Sequence, residues 1–380
     1  MSGRDPFAAA RPARVARLRE LMGRLELDAI LVQTRTTSRY LSGFVIRRGD
    51  ESTSGYSGTL LVTADATEIL VDNRYLEQAG DEAPGWDVVL TTTPLPAELA
   101  PRLAQAGVRR LGLESDRTPH ATWVALAAAA PDVDLVAVES ELRDLRVVKE
   151  PAEIEAIGRA CALGDAAFDY LCESIRPGMT EKGVARMITT WFEDHGAEDL
   201  AFDSIVLVGP RASMPHGTPD DTAVVAGQPL LIDFGCQVDG YRSDMTRTVF
   251  VGQPTDAARE AHAAVAAAQQ AALAAVAIGA PGTAPHEAAQ ASLAAAGFPG
   301  AFSHGVGHGI GLDTHEQPSL RSRSASTLGA GMVFSIEPGL YRPGEIGIRI
   351  EDIVVLEETG PRFLTRAPRE GLVIGQAVAA

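Results

Sequence analysis

Three histidines lie within one short glycine-rich segment, FSHGVGHGIGLDTHEQP, at residues 302–318. They are His304, His308 and His315, in a chain that has eight histidines altogether. A fourth, His216, stands in ASMPHGT. Because imidazole nitrogens bind divalent metals, this concentration indicates a functional site in the C-terminal part of the chain.

Two aspartates frame a predicted β-hairpin in LLIDFGCQVDGYRSDMTRTVFV. Two apolar runs flank a glycine-containing turn, which is the pattern of a hairpin. Asp233 ends the first run and Asp244 belongs to the second, so cross-strand pairing would bring both carboxylates onto one face. Two acids this close repel each other unless a cation lies between them. The alternative is that both are solvated turn residues.

Two glutamates occupy positions that should be buried. Glu337 ends the apolar run of MVFSIEPG, and Glu351 lies inside GIRIEDIVVL, a strand-like run of Ile and Val. Buried carboxylates are rare unless they are paired or bind a metal. Arg349 alternates with Glu351 on the same predicted strand face, so a buried Arg–Glu ion pair is the alternative for Glu351.

Together these side chains form a set that suits divalent cations. Four carboxylates and the imidazole of His308 are an oxygen-rich group, typical of manganese, cobalt or zinc sites rather than of a thiolate site. Two ions that share bridging carboxylates would lie about 3.5–4 Å apart and hold an activated water between them.

The elements that position these residues fall into two parts of the 380-residue chain. In the first, RVARLRELMGRLELDAILVQT predicts a helix that leads into a buried strand at residues 29–32. Further strands are predicted at GTLLVT, EILVD, WDVVLTT, RRLGLE and VDLVAVE, and helices at PAELAPRLAQAG and HATWVALAAAAP. This alternation is typical of an α/β domain, which we expect at residues 1–145.

A second domain is predicted at residues 146–380. Near its start, Pro151 suits the first turn of a helix and acidic residues follow it. The pattern predicts helices at 151–175, 180–196, 255–277 and 285–297, strands between 202 and 251, and further strands after the histidine-rich segment. Helices packed on one side of an antiparallel sheet, an α+β architecture, fit this order best. The alanine-rich run at 257–280 is interpreted as a structural helix, since alanine has the highest helix propensity.

Composition argues against several classes of protein. The formal net charge of −17 disfavours nonspecific binding to nucleic acid. Cys161, Cys172 and Cys236 are too few and too irregularly spaced for a disulfide framework or a thiolate zinc site. No apolar run reaches the length of a membrane span, and the N-terminus has no signal-peptide core. We therefore expect a cytoplasmic globular protein that binds neither nucleic acid nor membranes.

The motifs LIDFG, SDMTRT, HGVGHGIGLDTHE, SIEPG and GIRIEDIV together closely resemble those of the Xaa-Pro peptidases, aminopeptidase P and prolidase. These enzymes belong to the pita-bread metallopeptidase superfamily, which also holds methionine aminopeptidase and creatinase. YLSGF, DNRYLEQA and LRVVKEPAEIEAI look, more weakly, like the family's creatinase-type N-terminal domain and linker. The resemblance implies a pita-bread catalytic domain of the α+β class preceded by a smaller α/β domain, a proline-containing peptide as substrate, and a homodimer.

Carried over position by position, the resemblance implies that two divalent ions are bound by Asp233, Asp244, His308, Glu337 and Glu351. Asp244 and Glu351 would bridge the ions, and Glu337 would also act as general base or proton shuttle. Manganese is the favoured metal, with cobalt or zinc as alternatives. The complete ligand set disfavours a creatinase-like enzyme, and the N-terminal domain disfavours methionine aminopeptidase. A binding module that kept the fold but lost catalysis is a further alternative.

Four residues are implied as helpers around the substrate. His216, His304 and His315 match histidines that contact the substrate and stabilise the tetrahedral intermediate, as donors aimed at a developing oxyanion do. Arg349 matches a residue that steers Glu351 and helps to neutralise the carboxylates. The alternative for each histidine is a loop residue without a role.

One position departs from the pattern of dipeptide-cleaving prolidases. In those enzymes an arginine usually follows the proline of the HE-x-P motif and binds the free carboxylate of the substrate, whereas here HEQP is followed by Ser319. Arg321 or Arg323 would be the alternative source of that charge. The departure favours aminopeptidase P activity, with prolidase activity as the alternative.

Overall fold

The computed structural model describes residues 5–47 and 54–375. The chain divides into two compact units, Met1–Arg146 and Val147–Ala380. The first unit contains, in chain order, α1 (Arg11–Arg24), β1 (Ala29–Val32), α2 (Arg35–Ser42), β2 (Thr59–Thr63), β3 (Thr67–Val71), α3 (Leu76–Glu82), β4 (Asp87–Leu90), α4 (Leu95–Gln105), β5 (Arg110–Glu114), α5 (His120–Ala129), β6 (Asp134–Val138) and α6 (Glu141–Asp144).

The first unit is organised around a mixed sheet in the order β4-β3-β2-β1-β5-β6. Strand β1 pairs antiparallel with β2 and parallel with β5, so that Leu31 lies opposite both Leu61 and Leu113. All four residues of β1 are buried. This burial explains why the strand is a continuous apolar run, since a central strand is covered on both faces. The expected α/β character of this unit is therefore observed.

The second unit contains α7 (Pro151–Ser174), α8 (Glu181–Asp194), β7 (Asp199–Leu200), β8 (Ile205–Val208), a 3₁₀ helix (Gly209–Ser213), β9 (Pro229–Phe234), β10 (Cys236–Val238), β11 (Tyr241–Arg242), β12 (Met245–Val251), α9 (Asp256–Ala274), α10 (Thr283–Ala295), β13 (Gly307–Gly309), β14 (Glu316–Leu320), β15 (Val333–Ile336), β16 (Gly339–Arg342), β17 (Ile346–Arg349), β18 (Asp352–Glu357), β19 (Gly360–Phe363) and β20 (Val373–Ile374).

Local sequence explains where the helices of the second unit begin. Helix α7 starts with Pro151, and Glu150 and Glu153 form a reciprocal capping box. Helices α8 and α9 follow Thr180 and Thr255, whose hydroxyls accept backbone N–H bonds from the first turn.

Two helix pairs each pack on a sheet of their own, rather than on one common sheet as expected. Helices α7 and α8 bury Phe168 and Ile188 against β8, β9 and β12. Helices α9 and α10 bury Ala268 and Leu293 against the sheet that contains β15 and β18. Pairing within both sheets is antiparallel except between β12 and β20. The strand ends of these two layers carry Asp233, Asp244, Glu337 and Glu351.

Each helix within residues 5–47 and 54–375 is too short or too polar to span a bilayer.

Candidate metal centre

Asp233 and Asp244 reach the same face of a β-pair. Strands β9 and β12 run antiparallel, with Asp233 opposite Thr246. Asp244 directly precedes β12 and lies two residues from Thr246, so its side chain points to the same side. The register therefore agrees with the expectation that both aspartates share one face.

Glu337 and Glu351 flank one end of a second β-pair. Glu337 directly follows β15 and Glu351 directly precedes β18, where Ile336 lies opposite Asp352. The backbone N–H of Glu351 donates to the carbonyl of Thr246 over 3.0 Å. This bond ties the strand end that carries Glu351 to the strand that follows Asp244.

His308 lies in the middle of β13 with one ring nitrogen directed at the acids. Its Nδ1 is 3.1 Å from the carbonyl oxygen of Gly309. A carbonyl only accepts, so Nδ1 carries the hydrogen and the lone pair is on Nε2. Nε2 lies 3.7 Å from Oδ2 of Asp244 and 3.5 Å from Oε1 of Glu337. A second bond that fixes the tautomer is typical of metal-binding histidines.

The glycines beside His308 are required by close backbone approach. A Cβ at Gly307 would lie 1.9 Å from the carbonyl oxygen of Ser335, and one at Gly309 would lie 2.1 Å from that of Gln317. No side chain fits at such distances. The G-H-G sequence therefore lets β13 enter between its neighbours and bring the imidazole to the carboxylates.

The centre fits a divalent cation. Ligand atoms of Asp244, His308 and Glu351 lie within 4.8 Å of one another. Beside them, Oδ1 of Asp233 and Oε1 of Glu351 are buried without a hydrogen-bond partner in the part of the chain that the structure describes. A buried, unsatisfied carboxylate oxygen is destabilising unless a positive group faces it. These atoms thus offer the coordination that a cation would complete.

Burial and like charge dominate the electrostatics of the centre. Burial raises the pKa of Asp244 well above its ordinary value, and the neighbouring Glu351, Asp233 and Glu337 raise it further. Burial also raises the pKa of Glu351 and of Glu337, and it lowers the pKa of His308. A bound cation would reverse the carboxylate shifts by stabilising the ionised forms.

Arg349 connects several parts of the centre. Its Nη2 donates to Oδ2 of Asp233 over 2.5 Å, and its Nε donates to Oγ1 of Thr246 over 3.0 Å. Thr246 in turn donates to Oε2 of Glu351 over 2.8 Å. Arg349 thus forms its ion pair with Asp233 and reaches Glu351 through a threonine.

The three helper histidines differ in their surroundings. The ring of His315 lies 4.2 Å from that of His308, and burial lowers the pKa of His315 to about 4, with His308 and His216 adding to the shift. His304 is bonded at both nitrogens, Nδ1 to the carbonyl of Gly305 and Nε2 to the hydroxyl of Tyr341, each over 2.8 Å. The side chain of His216 is exposed on a loop.

The loop that carries His216 is fastened by a buried carboxylate. Glu181 is fully buried and accepts the backbone N–H of Val208 over 2.9 Å and that of Asp220 over 3.0 Å. Its carboxylate also pairs with Arg211 over 3.1 Å. Both ends of the loop at residues 208–220 are therefore held by one side chain. On the other side, the carbonyl of Pro215 accepts from Nη1 of Arg349 over 3.3 Å.

Thr246 and Tyr341 are among the residues that contact the predicted set and were not predicted from sequence. Thr246 stands two positions after Asp244, so strand alternation could have placed it on the same face. Tyr341 bonds both His304 and Nη1 of Arg349, the latter over 2.9 Å. A Cβ at Gly339 would lie 2.2 Å from the Tyr341 hydroxyl, so the glycine of SIEPG is the one local signal for this approach.

Ser319 lies next to the centre. It is paired with His308 across β13 and β14, and its backbone N–H donates to Oγ of Ser326 over 3.1 Å. Directly paired residues of an antiparallel pair share a face. Arg321 and Arg323, the alternative sources of positive charge, are both exposed.

Comparison with known proteins agrees with this architecture over most of the chain. Residues 14–148 match the creatinase/prolidase N-terminal domain. The "Uncharacterized peptidase YqhT" of Bacillus subtilis is 34% identical over 361 residues, which are 95% of this chain and 100% of that protein.

Two solved structures are also similar. An Xaa-Pro dipeptidase from Bacillus anthracis has a TM-score of 0.89 at 30% identity and covers 96% of this chain and 100% of its own. An X-Pro aminopeptidase from Thermotoga maritima has a TM-score of 0.84 at 34% identity and covers 94% of this chain and 100% of its own. The expected fold, a creatinase-type α/β domain followed along the chain by a pita-bread catalytic domain, is confirmed.

The catalytic half matches a single family of enzymes. Residues 155–358, which contain the aspartates, glutamates and histidines described above, match the model of metallopeptidase family M24. Members of this family are metal-dependent peptidases, in agreement with the convergence of carboxylates and imidazole. The chain belongs to metallopeptidase family M24 and is a metallopeptidase.

Proposed function

We propose that this chain is a dinuclear-metal Xaa-Pro peptidase that hydrolyses the bond between an N-terminal residue and proline. The observation that carries the proposal is the approach of ligand atoms of Asp244, His308 and Glu351 to within 4.8 Å. Two of the similar proteins are by name an Xaa-Pro dipeptidase and an X-Pro aminopeptidase, which supports proline peptides as the substrate class. We assign the chemistry to residues 146–380 and a homodimer as the functional assembly.

Two ions would be held by Asp233, Asp244, His308, Glu337 and Glu351, and the carboxylates of Asp244 and Glu351 would serve both ions. Carboxylate-rich sets favour manganese, and cobalt or zinc are the alternatives. When bound, the ions would polarise the scissile carbonyl and lower the pKa of a water molecule toward neutrality. The unpartnered oxygens of Asp233 and Glu351 support this assignment.

Glu337 is assigned the transfer of protons. Its Oε1 lies 3.5 Å from Nε2 of His308, and its Oε2 lies 4.0 Å from Nδ1 of His304. From this position its carboxylate would take up the proton that the attacking water loses. The same carboxyl would return the proton to the proline nitrogen as the bond breaks.

His216, His304 and His315 are assigned to the substrate. An imidazole N–H aimed at the scissile carbonyl oxygen would stabilise its developing negative charge. The ring of His315 is 4.2 Å from that of His308, which supports a substrate-side position. Nδ1 of His304 donates to the Gly305 carbonyl, so Nε2 of the neutral ring accepts from the Tyr341 hydroxyl. Donation to the substrate oxygen from Nε2 would require the doubly protonated ring. Arg349 is assigned to hold Asp233 and, through Thr246, Glu351.

Aminopeptidase P activity is favoured over dipeptidase activity. A dipeptide presents a free carboxylate immediately after proline, and binding it calls for a cation near the centre. Ser319, which pairs with His308, has no charge, and Arg321 and Arg323 are exposed. An uncharged neighbour suits a peptide that continues beyond proline.

The test compares hydrolysis of a Xaa-Pro dipeptide with that of a Xaa-Pro-Yaa tripeptide sharing the same first residue, in the presence of manganese. We expect a higher kcat/KM for the tripeptide. Faster cleavage of the dipeptide would favour the prolidase alternative, and two bound metals without cleavage of either peptide would favour a binding module. The proposed homodimer is tested separately by light scattering, which should give a molar mass of twice the 40.0 kDa of one chain.

A further inference from the structure

The side-chain amide of Gln269, on the alanine-rich helix α9, is buried next to the strand ends that carry Glu337 and Glu351. Gln269 is fully buried. Its Nε2 is 3.2 Å from the carbonyl oxygen of Ile336, 3.4 Å from that of Ile350 and 2.8 Å from Oδ2 of Asp352. All three neighbours are acceptors, so the amide nitrogen, not the oxygen, must face them.

The three acceptors are direct sequence neighbours of Glu337 and Glu351. Ile336 immediately precedes Glu337, and Ile350 and Asp352 enclose Glu351. One side chain therefore reaches both strand ends that carry the two glutamates. The amide has two hydrogens for three acceptors, so they are shared and the 3.4 Å contact is the weakest.

We propose that Gln269 is a positioning residue that fixes the distance between the strand ends bearing Glu337 and Glu351, and so tunes metal affinity. The inference rests on the proposed assignment of both glutamates as ligands. Metal–oxygen distances are set to within about 0.2 Å, so a small separation of the two strand ends would move one glutamate out of place.

A second buried group completes the support beneath Glu351. Asp352 is fully buried and accepts from Gln269, from Nη2 of Arg247 over 2.7 Å and from Nε of Arg369 over 2.7 Å. Arg247 also donates from Nη1 to the backbone carbonyl of Glu351. With Asp352 held by arginines, Gln269 adds a side-chain link from this segment to the strand end of Glu337, beside the backbone pairing of Ile336 with Asp352.

The proposed role of Gln269 depends on its hydrogen bonds and not on the volume that its side chain fills. An apolar side chain of similar length, as in Gln269→Met, would fill the same volume but could not hold two carbonyls and a carboxylate. The exposed neighbour Gln270 on the same helix provides a matched control, Gln270→Met. Gln269→Asn keeps the amide but shortens its reach by one methylene.

The experiment titrates the full chain, freed of metal by chelation, with Co²⁺ and follows visible absorption as the signature of coordination. For Gln269→Met and Gln269→Asn we expect dissociation constants raised about 10- to 100-fold, the range typical of lost outer contacts to metal ligands. Gln270→Met should match the parent. With saturating metal, KM for a Xaa-Pro-Yaa peptide should stay close to the parent value while kcat falls.

Several outcomes would overturn the inference. The inference is wrong if either folded Gln269 variant binds Co²⁺ with the affinity and the visible spectrum of the parent protein. Failure of both variants to fold without metal, as judged by circular dichroism, would also overturn it, because the residue would then act on folding itself. Absence of metal binding by the parent would instead refute the proposed function, so the two failures are distinguishable.

Discussion

Arg349 donates to Oδ2 of Asp233 over 2.5 Å, while Oδ1 of the same carboxylate is buried without a hydrogen-bond partner in residues 5–47 and 54–375. The two oxygens of Glu351 differ in the same way, because Oε2 accepts from Thr246 and Oε1 has no partner within those ranges. In each acid one oxygen is fixed by the protein and the other is offered to a cation. This division orients the carboxylates before metal binds.

Arg349→Lys should impair catalysis although the charge is kept. An ammonium group cannot reproduce the planar set of bonds to Asp233, Thr246, Tyr341 and the Pro215 carbonyl. We expect kcat/KM for a Xaa-Pro-Yaa peptide to fall roughly 10- to 100-fold. Arg362→Lys, at an exposed surface pair, is the control. Activity within a factor of two of the parent would show that the guanidinium geometry is unimportant.

Asp244→Asn should separate stability from metal binding. Burial and three neighbouring acids raise the pKa of Asp244, so in metal-free protein its ionisation opposes folding, and this opposition grows as pH rises above the unfolded-chain pKa. The amide removes that charge, and the metal-free variant should be about 1–3 kcal/mol more stable near pH 7. Urea unfolding with chelator measures this free energy.

The same variant should no longer bind two ions, because a bridging ligand serves both. Glu351→Gln should likewise no longer bind two ions. Metal content measured after equilibration with Mn²⁺ and gel filtration checks this expectation. Two ions per chain in either variant, or a metal-free Asp244→Asn less stable than the parent, would contradict the assignment.

Glu181→Gln should loosen the loop that carries His216. The carboxylate accepts one backbone N–H on each oxygen, from Val208 and from Asp220. An amide nitrogen cannot accept, so glutamine would lose one of these two bonds. Loss of a buried bond in this way lowers the free energy of unfolding by about 1–3 kcal/mol. Trypsin should then cleave after Arg211 faster, and KM for the peptide should rise severalfold. Glu193→Gln, exposed on the same helix, is the control. An unchanged cleavage rate and KM would refute the anchoring role.

His262 should make the protein less stable in acid. Its ring is 5% exposed beside Phe250, and burial lowers its pKa to about 4. The unfolded chain, with a histidine pKa of about 6.5, therefore binds more protons below that pH, and stability falls as pH decreases. This group alone accounts for roughly 3 kcal/mol between pH 7 and pH 4.

The measurement is urea unfolding of metal-free parent and His262→Gln across that pH range. The difference in unfolding free energy between the two proteins should shrink or reverse as pH falls. A constant difference at every pH would exclude His262 as a source of the acid sensitivity.

Local elements followed directly from sequence. The predicted strand at 29–32 is β1, and the predicted helix at 151–175 is α7, Pro151–Ser174. Helices α2 and α3 were not predicted, because with 8 and 7 residues they are shorter than the window in which a helical period can be recognised. The division of the strands of the second unit into separate sheets, two of which carry the helix pairs, also escaped prediction, since it depends on long-range pairs such as Ile336 with Asp352.

The candidate site was predictable to the extent that residue types define it. Carboxylates in buried runs and a histidine between glycines mark possible ligands without knowledge of the fold. Partners distant in sequence are not accessible from local patterns. Strand alternation predicts a pair between Arg349 and Glu351, whereas Arg349 forms its ion pair with Asp233. Gln269 gave no signal within its alanine-rich helix, since only tertiary packing brings it to the strand ends.

The central claim is that two divalent ions at this centre support hydrolysis of Xaa-Pro bonds. The most direct test adds Mn²⁺ in increments to exhaustively chelated protein while the initial rate of Xaa-Pro-Yaa cleavage and the bound metal per chain are measured. We predict no activity without metal and a rate that rises to a plateau at two ions per chain. Full activity in the chelated protein, or no cleavage at any metal content, would contradict the claim.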